Sequence, residues 1–422
     1  MALLGLRFAV CLLLAASAAA FGDHVKNAGE GPAHLLNISA DPDMTLADAL
    51  LAATHRLRLR DWSEQRQSVA DARLDLGDAW LGDAPSIGGS WRDYDWNNNS
   101  DLYEAEVYLL MPLWRLGERQ ATRAMAANDA RLVPLQSLAR QLESAAEVRA
   151  AYWRVLDSQT RYQLLQQVLQ TSERYAEQVQ LRLDAGDVAR TELLQSQQQV
   201  LDFRGQLLDA KSQVIDSTRR WRFITGLNAI PAAGREQLAA IDAIDQQHPM
   251  LQLALAEVEL TRSELDISRN SGSLRPSVSV NLKRENIDDR VPPLDSVGIG
   301  INIPLGRGKG HRVDVSRTEQ RLLEAEVQLQ TLHRQLQEDL HEIRHQAHVN
   351  EANLADSAAL LEIAEQVYQS QELANQQGET SVIEVLRAAQ ALAEVHQRHS
   401  LLTLTRDALV SQQNQVLGVL PQ

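Results

Sequence analysis

The chain has 422 residues, a formal net charge of −15 and a single cysteine. Such an acidic chain repels nucleic acid and anionic lipid, which excludes binding to either through overall charge. Aromatic residues make up only 4% of the chain, and Gln, Ala, Leu, Glu and Arg are abundant. This composition favours long helices with narrow apolar seams over several ordinary globular cores.

The first twenty residues, "MALLGLRFAVCLLLAASAAA", have the pattern of a secretory signal peptide. Arg7 precedes an apolar core, and small residues follow; the alternative is a buried N-terminal helix. Cys11 lies in this segment, so the mature chain would have no disulfide, thiolate metal site or thiol nucleophile. A lipid anchor on Cys11 is not expected, because the apolar run continues beyond it. No later stretch approaches 18 apolar residues, so no transmembrane helix is expected.

The first predicted helix begins near Thr45, a candidate N-cap with Asp48 three residues later, and runs to about Gly82. Its counterpart in the second half of the chain is predicted from about His248 to Arg269.

Two strand candidates follow in each half of the chain. "PSVSVNLKRE" and "DSVGIGINIPL" alternate between apolar and small or polar residues in the second half. "LYEAEVYLLMPL" alternates in the first half, and its partner "PSIGGSWRDYDW" does so more weakly. A period of two residues predicts strands with one apolar face.

After each strand pair comes proline and then a very long predicted helix, over 115–183 and 310–376. Each would span roughly 100 Å at 1.5 Å per residue. Shorter helices return over 190–224 and 380–416, and residues 227–247 read as a linker. The spacing of apolar residues indicates coiled-coil-like seams.

The turns between these helices repeat one phrase. "AGDVARTELL" at 185–194 aligns with "QGETSVIEVL" at 377–386, an offset of 192 residues that also relates Pro112 to Pro304. Gly186 and Gly378 fit the left-handed position that ends a helix.

The chain is therefore predicted to be a tandem duplication. A signal peptide over 1–20 precedes a first repeat over 42–226, with strands at about 85–112 and a helical hairpin at about 115–224. The linker 227–247 leads to a second repeat over 248–422, with strands at about 276–304 and a hairpin at about 310–418.

Strands of this length in a secreted chain fit an outer-membrane barrel, with a soluble sandwich as the alternative. Four strands cannot close a barrel, and open edges in lipid would leave backbone groups unpaired. Two copies would supply eight strands with a filled interior, and three copies twelve strands with room for an aqueous lumen. The predicted fold class is therefore mainly α with a membrane β-barrel part. If three copies assemble, they form a 12-strand barrel above a periplasmic α-helical barrel.

The ordered motifs resemble the TolC family of outer-membrane efflux channels over nearly the whole mature chain. They are "MTLADALLAA", "RPSVSV", "MPLWRLGERQATRA" and "IPLGRGKGHRV", and the two turns "RLDAGDVARTELLQSQ" and "NQQGETSVIEVLRAAQ". "PLWRLGERQA" and "EVRAAYWRVL" are most similar to the branch that serves metal-cation pumps of the resistance-nodulation-division (RND) type. Leu57 departs from the family, which often has proline there.

The resemblance implies a homotrimeric exit duct in the outer membrane of a Gram-negative bacterium, closed at its periplasmic end. A periplasmic adaptor (membrane fusion) protein and an inner-membrane RND or ABC pump would dock there and open it. The duct would export metal cations or small toxic compounds, and it needs no cofactor. The alternative is a periplasmic coiled-coil adaptor or scaffold protein without a membrane barrel. None of the nucleophile-elbow, P-loop, zinc-protease or dinucleotide motifs occurs in the sequence, so an enzyme is not expected.

Candidate functional residues lie at the two turns. Threefold symmetry would bring copies of Asp184, Asp187 and Glu379 near one axis as a cation-favouring periplasmic gate; alternatively they are solvated turn residues. The predicted adaptor contact consists of the remaining turn residues: Ala185, Gly186, Val188, Gln377, Gly378 and Val382.

Two further sets of residues have both a functional and a plain interpretation. His341, His345 and His348 share one helical face at a spacing that can hold a divalent cation, although a solvated stripe is the commoner role. The aromatic residues near the strands fit either an interfacial girdle or packing between strands: Trp91, Tyr94, Trp96, Tyr103 and Tyr108.

Overall fold

The computed structural model describes residues 38–94, 102–271, 275–286, 291–305 and 310–422. The predicted signal peptide with Cys11, Trp96 and the "NNNS" loop lie outside these ranges. About 70% of the described residues are helical, as the composition predicts. Within the described ranges, none of the helices is both long enough and apolar enough to cross a bilayer.

The elements follow the predicted order. The helices are α1 (Leu46–Arg56), α2 (Leu59–Asp78), α3 (Glu118–Asp184), α4 (Arg190–Thr225), α5 (Pro249–Asn270), α6 (His311–Gln376) and α7 (Val382–Val416). The strands are β1 (Ser39–Asp41), β2 (Ser86–Asp93), β3 (Tyr103–Pro112), β4 (Ala229–Pro231), β5 (Ser277–Asn286) and β6 (Leu294–Asn302).

The described chain divides into two compact units, each of which draws segments from both halves of the sequence. The helical unit contains residues 38–57, 143–240 and 341–422, and the sheet unit contains residues 58–142 and 241–340 in their described parts. These units therefore do not coincide with the two predicted repeats, each of which is one continuous segment of sequence. The boundaries of the repeats stay a prediction.

The start of the first helix is confirmed, but its length is wrong. The Thr45 hydroxyl accepts from the backbone N–H of Asp48 at 3.2 Å, and the Thr45 N–H donates to the Asp48 carboxylate at 2.9 Å, which forms the predicted capping box. Instead of running to Gly82, the helix ends at Arg56 and a second begins at Leu59. Arg58 has φ of 52°, and this left-handed residue separates the two helices.

The linker is more ordered than predicted. Residues 229–231 form β4, which pairs in parallel with β1. Trp221 is fully buried beside it and donates its indole N–H to the Ala229 carbonyl at 2.9 Å. The hydroxyl of buried Tyr152 accepts from the Gly234 N–H at 3.2 Å. The linker thus completes the main core of the helical unit.

The sheet unit contains one four-stranded antiparallel sheet with the order β2-β3-β5-β6. Its register places Gly89, Val107, Leu282 and Val297 in one row across the strands. The next rows of this face toward the helices are also apolar, and many of their side chains are exposed: Ile87, Leu109, Ile299 and Ile301. On the other side, the neighbouring row contains Arg284 and Asp295 beside Trp91 and Ala105. The opposite face is polar, with Arg92, Glu104, Glu106 and Lys283 on it. The predicted two-faced strands are therefore present.

The predicted aromatic set is divided between these faces. Trp91 and Tyr103 lie on the apolar face and stack with ring centroids 4.7 Å apart. The Tyr94 hydroxyl donates to Glu104 on the polar face. Tyr108 also lies on the polar face, where its ring covers Gly88 so closely that a Cβ there would come within 2.5 Å of it. The described residues of this aromatic set therefore do not form a single interfacial girdle.

The junction between sheet and helix joins two of the motifs that the sequence analysis singled out. Glu118, at the start of α3, is only 4% exposed. Its carboxylate accepts from Arg115 and from Arg275, both at 2.8 Å. The Arg275 guanidinium also lies 5.6 Å from the centre of the Trp114 ring. A buried carboxylate with two cationic partners fixes where the long helix leaves the sheet.

Candidate functional site

The two interhelical turns end their helices in the same way. Gly186 has φ of 85° and Gly378 has φ of 78°, as predicted. The Gly186 N–H donates to the Leu183 carbonyl at 3.0 Å, and the Asp187 N–H donates to the Arg182 carbonyl at 2.8 Å. Gly378 and Glu379 make the equivalent bonds at 3.0 and 2.9 Å. Both turns are thus Schellman motifs, in which the acid after the glycine satisfies a helix carbonyl through its backbone.

The turn surfaces are open. Ala185, Gly186, Gln377 and Gly378 are exposed. A Cβ built on either glycine would have no atom within 4 Å. A side chain at either glycine is therefore opposed by the backbone conformation alone.

The helices that leave the turns start differently. The Ser381 hydroxyl caps α7 by accepting from the Glu384 N–H at 3.4 Å. Ala189, at the equivalent place before α4, makes no side-chain cap. The second turn is therefore the better anchored of the two at its exit.

A small apolar cluster connects the two hairpins behind the turns. Val179 of α3 packs with Val382 and Leu386 of α7, and Val188 and Leu193 lie against them. Val382 is only 1% exposed, and Val188 is half-buried. The predicted adaptor contact through the Val382 side chain does not fit this burial; Val382 instead supports the turn from within. The sequence pattern did not predict the burial of Val382, because residues of the other hairpin cover it.

Polar contacts also connect the hairpins. The Tyr175 and Tyr368 hydroxyls lie 2.9 Å apart, and Arg182 donates to the Asn375 side-chain carbonyl at 3.0 Å. Asn375 in turn donates to the Thr380 carbonyl in the second turn at 2.8 Å. Burial first, and then the hydrogen bond to Tyr368, raise the pKa of Tyr175 well above its ordinary value, so this phenol keeps its proton.

These connecting pairs have a signature that the sequence analysis did not use. Tyr175 and Tyr368 are 193 residues apart, as are Arg182 and Asn375, and the Gln199–Gln390 pair is separated by 191. Each separation is close to the repeat offset of 192. A search for complementary polar residues within one residue of that offset would have found all three pairs.

The three candidate acids lie on separate turns. Asp184 and Asp187 belong to the first turn and Glu379 to the second, and all three are exposed. Asp184 accepts from the Gln180 side-chain amide at 2.8 Å. Exposed carboxylates at helix ends suit either a solvated turn or a ring built from several copies.

The histidine stripe does not assemble a metal site. His341, His345 and His348 are exposed on α6. In the part of the chain that the structure describes, no three His, Cys, Asp or Glu side chains are placed to hold a metal ion. The weak metal candidate is therefore not supported.

Comparisons with known proteins agree with this architecture. Residues 61–227 match the family model described as outer membrane efflux protein. No curated protein matches the chain by sequence.

Three solved structures illustrate the likeness in fold. CusC has a TM-score of 0.70 at 14% identity over 89% of this chain and 92% of its own. The outer membrane protein VceC of Vibrio cholerae has a TM-score of 0.72 at 15% identity, covering 89% and 96%. The open state of the MtrE outer membrane channel of Neisseria gonorrhoeae has a TM-score of 0.69 at 12% identity, covering 90% and 90%.

These likenesses confirm the fold that the motifs imply. Residues 61–227 thus match the outer membrane efflux proteins, and the chain has the fold of the solved outer membrane proteins CusC, VceC and MtrE.

Proposed function

We propose that three copies of this chain form a passive exit duct in the outer membrane of a Gram-negative bacterium, as one part of a tripartite efflux or secretion system. The observation that carries this proposal is the two-faced sheet of the efflux-channel fold, whose exposed apolar face suits lipid and whose polar face suits an aqueous lumen.

The free edges of the sheet argue for several copies. In the described sheet, β2 and β6 each pair on one side only. An unpaired edge in hydrocarbon costs several kcal/mol per backbone group, so edges must pair with those of other copies. Three copies supply twelve strands, which leave room for a lumen.

The turns are the proposed place of docking and closure. Ala185, Gly186, Gln377 and Gly378 would face a periplasmic adaptor, with Val188 beside them and Val382 as internal support. Threefold copies of Asp184, Asp187 and Glu379 would form the periplasmic gate, and an inner-membrane RND or ABC pump would supply the energy. Their exposure supports both roles.

We propose metal cations or small toxic compounds as the exported substrates. The support is the resemblance of "PLWRLGERQA" and "EVRAAYWRVL" to the branch that serves metal-cation pumps. The structural likeness does not select a substrate, because at 14% identity it shows the fold alone.

A periplasmic adaptor or scaffold without a barrel is not favoured. It would also contain long hairpins, but it would not require a sheet with an exposed apolar face or match the efflux-protein family.

The test is the mass and location of the native protein. Membrane fractionation should place it in the outer membrane, and mass measurement in detergent should give three chains. Deletion of the gene should lower export, and the wild-type gene should restore it. A monomer that stays soluble without detergent would overturn the proposal.

A further inference from the structure

One row on the polar face of the sheet has glycine on both outer strands. It consists of Gly88 on β2, Tyr108 on β3, Asn281 on β5 and Gly298 on β6. A Cβ built on Gly88 would be 2.5 Å from both Cζ and the hydroxyl oxygen of Tyr108, and one built on Gly298 would overlap the Asn281 side chain. The side chains of the two inner strands therefore lie over the glycines of the outer strands, in space that a Cβ would fill.

Tyr108 has the bulkiest side chain of this row. Side chains of a strand ordinarily stand roughly perpendicular to the sheet. The atoms of Tyr108 nearest Gly88 belong to the far end of the ring, so the ring lies across β2 instead of standing up from β3. This orientation depends on the missing side chain of Gly88.

The same arrangement recurs beside and below Tyr108. Asn281 is held over Gly298 by a hydrogen bond in which its Nδ2 donates to Glu106 at 2.8 Å. In the next polar row toward the helices, a Cβ built on Gly300 would be 2.6 Å from the Ser279 hydroxyl. Side chains that lie along the sheet are thus a feature of this polar face in more than one row.

The adjacent glycine on the other face is different. Gly89 lies in the apolar row, where the nearest described atoms to a built Cβ are the Glu106 carbonyl oxygen at 3.1 Å and Val107 Cγ2 at 3.9 Å. A methyl group at Gly89 therefore displaces no aromatic ring.

We propose that Tyr108, with Asn281 beside it, sets the width of the lumen at this level, and that Gly88 is the positioning residue that keeps the ring against the wall. This rests on the proposed function, in which three copies turn their polar faces toward one lumen. A side chain at Gly88 would push three tyrosine rings off the wall, because the far end of a tyrosine moves by rotation of its side chain. The flat rings admit bulky cargo, whereas small ions pass in either orientation.

The experiment measures which thiol reagents reach a cysteine beyond Tyr108. Ser86 is exposed and belongs to the next polar row toward the helices. The single cysteine of the sequence lies in the predicted signal peptide, so Ser86→Cys gives the mature protein one thiol per copy. Maleimides on polyethylene glycol chains of graded mass, added to intact cells, reach this thiol through the outer mouth of the lumen. Labelling is normalised to that by a small maleimide.

Gly88→Ala in the Ser86→Cys background should lose labelling by the largest reagent that labels Ser86→Cys alone, while the small maleimide reacts as before. Adding Tyr108→Ser should restore the lost labelling, because no ring is left to displace. This restoration distinguishes a displaced tyrosine from a general distortion of β2. If Gly88→Ala does not assemble, Gly298→Ala carries the test: it displaces Asn281, so labelling by that reagent should fall, and full labelling would overturn the proposal.

Gly89→Ala is the matched control, since it makes the same change one residue away on the opposite face. It should leave labelling by every reagent unchanged. Full labelling of Gly88→Ala by the largest reagent, equal loss in Gly89→Ala, or no restoration by Tyr108→Ser would contradict the role of Tyr108. A Ser86→Cys protein that even the small maleimide does not label counts against the proposed function instead, because its polar face then lines no duct open to the outside.

Discussion

At the scale of single residues, the turn glycines show the sharpest link between backbone and function. Gly378 has φ of 78° and no atom within 4 Å of a built Cβ. Gly378→Ala should therefore cost about 1 kcal/mol through backbone strain alone. Gly205 is exposed within α4, also with no atom within 4 Å, so Gly205→Ala should stabilise by about 0.5–1 kcal/mol. Thermal unfolding in detergent should show a lower melting temperature than wild type for Gly378→Ala and a higher one for Gly205→Ala.

The larger change at the same glycine tests docking. Gly378→Val adds a branched side chain to the strain, and the turn should lose the open backbone surface proposed to meet the adaptor. Export should be abolished while trimers still reach the outer membrane, as measured by substrate accumulation and by membrane fractionation. Normal export by this variant would mean that the second turn is not the docking surface.

Asp129 makes the stability of the sheet unit depend on pH. Its side chain is fully buried, and it accepts from Arg66 and Arg73, each at 2.6 Å. Burial is the largest single influence and would raise the pKa, but the two arginines together outweigh it and hold the pKa of Asp129 below its ordinary value. The contribution to stability is therefore full above the unfolded pKa of about 4 and is lost as pH falls through the lower folded pKa.

Asp129→Asn should accordingly destabilise the protein at pH 7 by about 3 kcal/mol, because two arginines lose a buried partner. The difference between variant and wild type should shrink at pH 3 and below. Chemical denaturation of both proteins at pH 7 and pH 3 measures this difference in the free energy of unfolding. Asp61→Asn, which affects an exposed ion pair with Arg58, should change stability by less than about 1 kcal/mol at either pH.

At the scale of elements, the sequence predicts best what is decided locally. The capping box at Thr45 and the glycines that end α3 and α6 need only neighbouring residues, and both are present. The break at Arg58 was missed, because its left-handed conformation is unusual for a residue with a side chain. The β1–β4 pairing was missed too, since three-residue strands have no readable period and their partner lies far along the chain.

The hairpins themselves are held together by contacts that no local pattern contains. Arg182 of α3 donates to Asn375 of α6, and Asn375 donates to the second turn. Arg182→Gln should loosen one hairpin from the other at the proposed gate, because glutamine is shorter and uncharged. Single-channel recordings in planar bilayers should show more frequent or larger openings than in wild type.

Arg204→Gln is the control for that change. Arg204 pairs with Glu173 at 2.6 Å, but both residues belong to the first hairpin. It should therefore leave channel openings as they are in wild type. Similar behaviour of the two variants would show that loss of an arginine, rather than loss of the link between hairpins, is responsible.

At the scale of the whole molecule, the predicted duplication accounts for much of what the sequence could predict. The offset of 192 residues places equivalent turns, junctions and strands in both halves of the sequence. It does not predict the compact units, since each of them combines segments from both repeats. Nor does it predict which equivalent residues touch: Val382 is buried because Val179 of the other hairpin covers it. How several copies assemble is harder still to predict from the sequence of one chain.

The acidic turns make a prediction about that assembly. Asp184, Asp187 and Glu379 are exposed, and three copies around an axis would place nine carboxylates at the proposed closed end. Such a ring favours cations over anions in proportion to its charge. The combined variant Asp184→Asn, Asp187→Asn, Glu379→Gln should therefore lower cation selectivity, measured as reversal potential across a planar bilayer in a salt gradient, while trimers remain intact.

The matched control neutralises three exposed acids of the same unit that lie along the helices instead of at the turns. Asp202→Asn, Asp209→Asn and Glu362→Gln together remove the same charge, so a general effect of net charge would appear in both variants. Only the turn variant should shift the reversal potential toward zero, because screening confines a carboxylate's influence to about 10 Å at 0.1 M salt. If the turn variant keeps its ion preference, the selective carboxylates lie elsewhere, and Glu104 and Glu106 on the polar face of the sheet are then the next candidates.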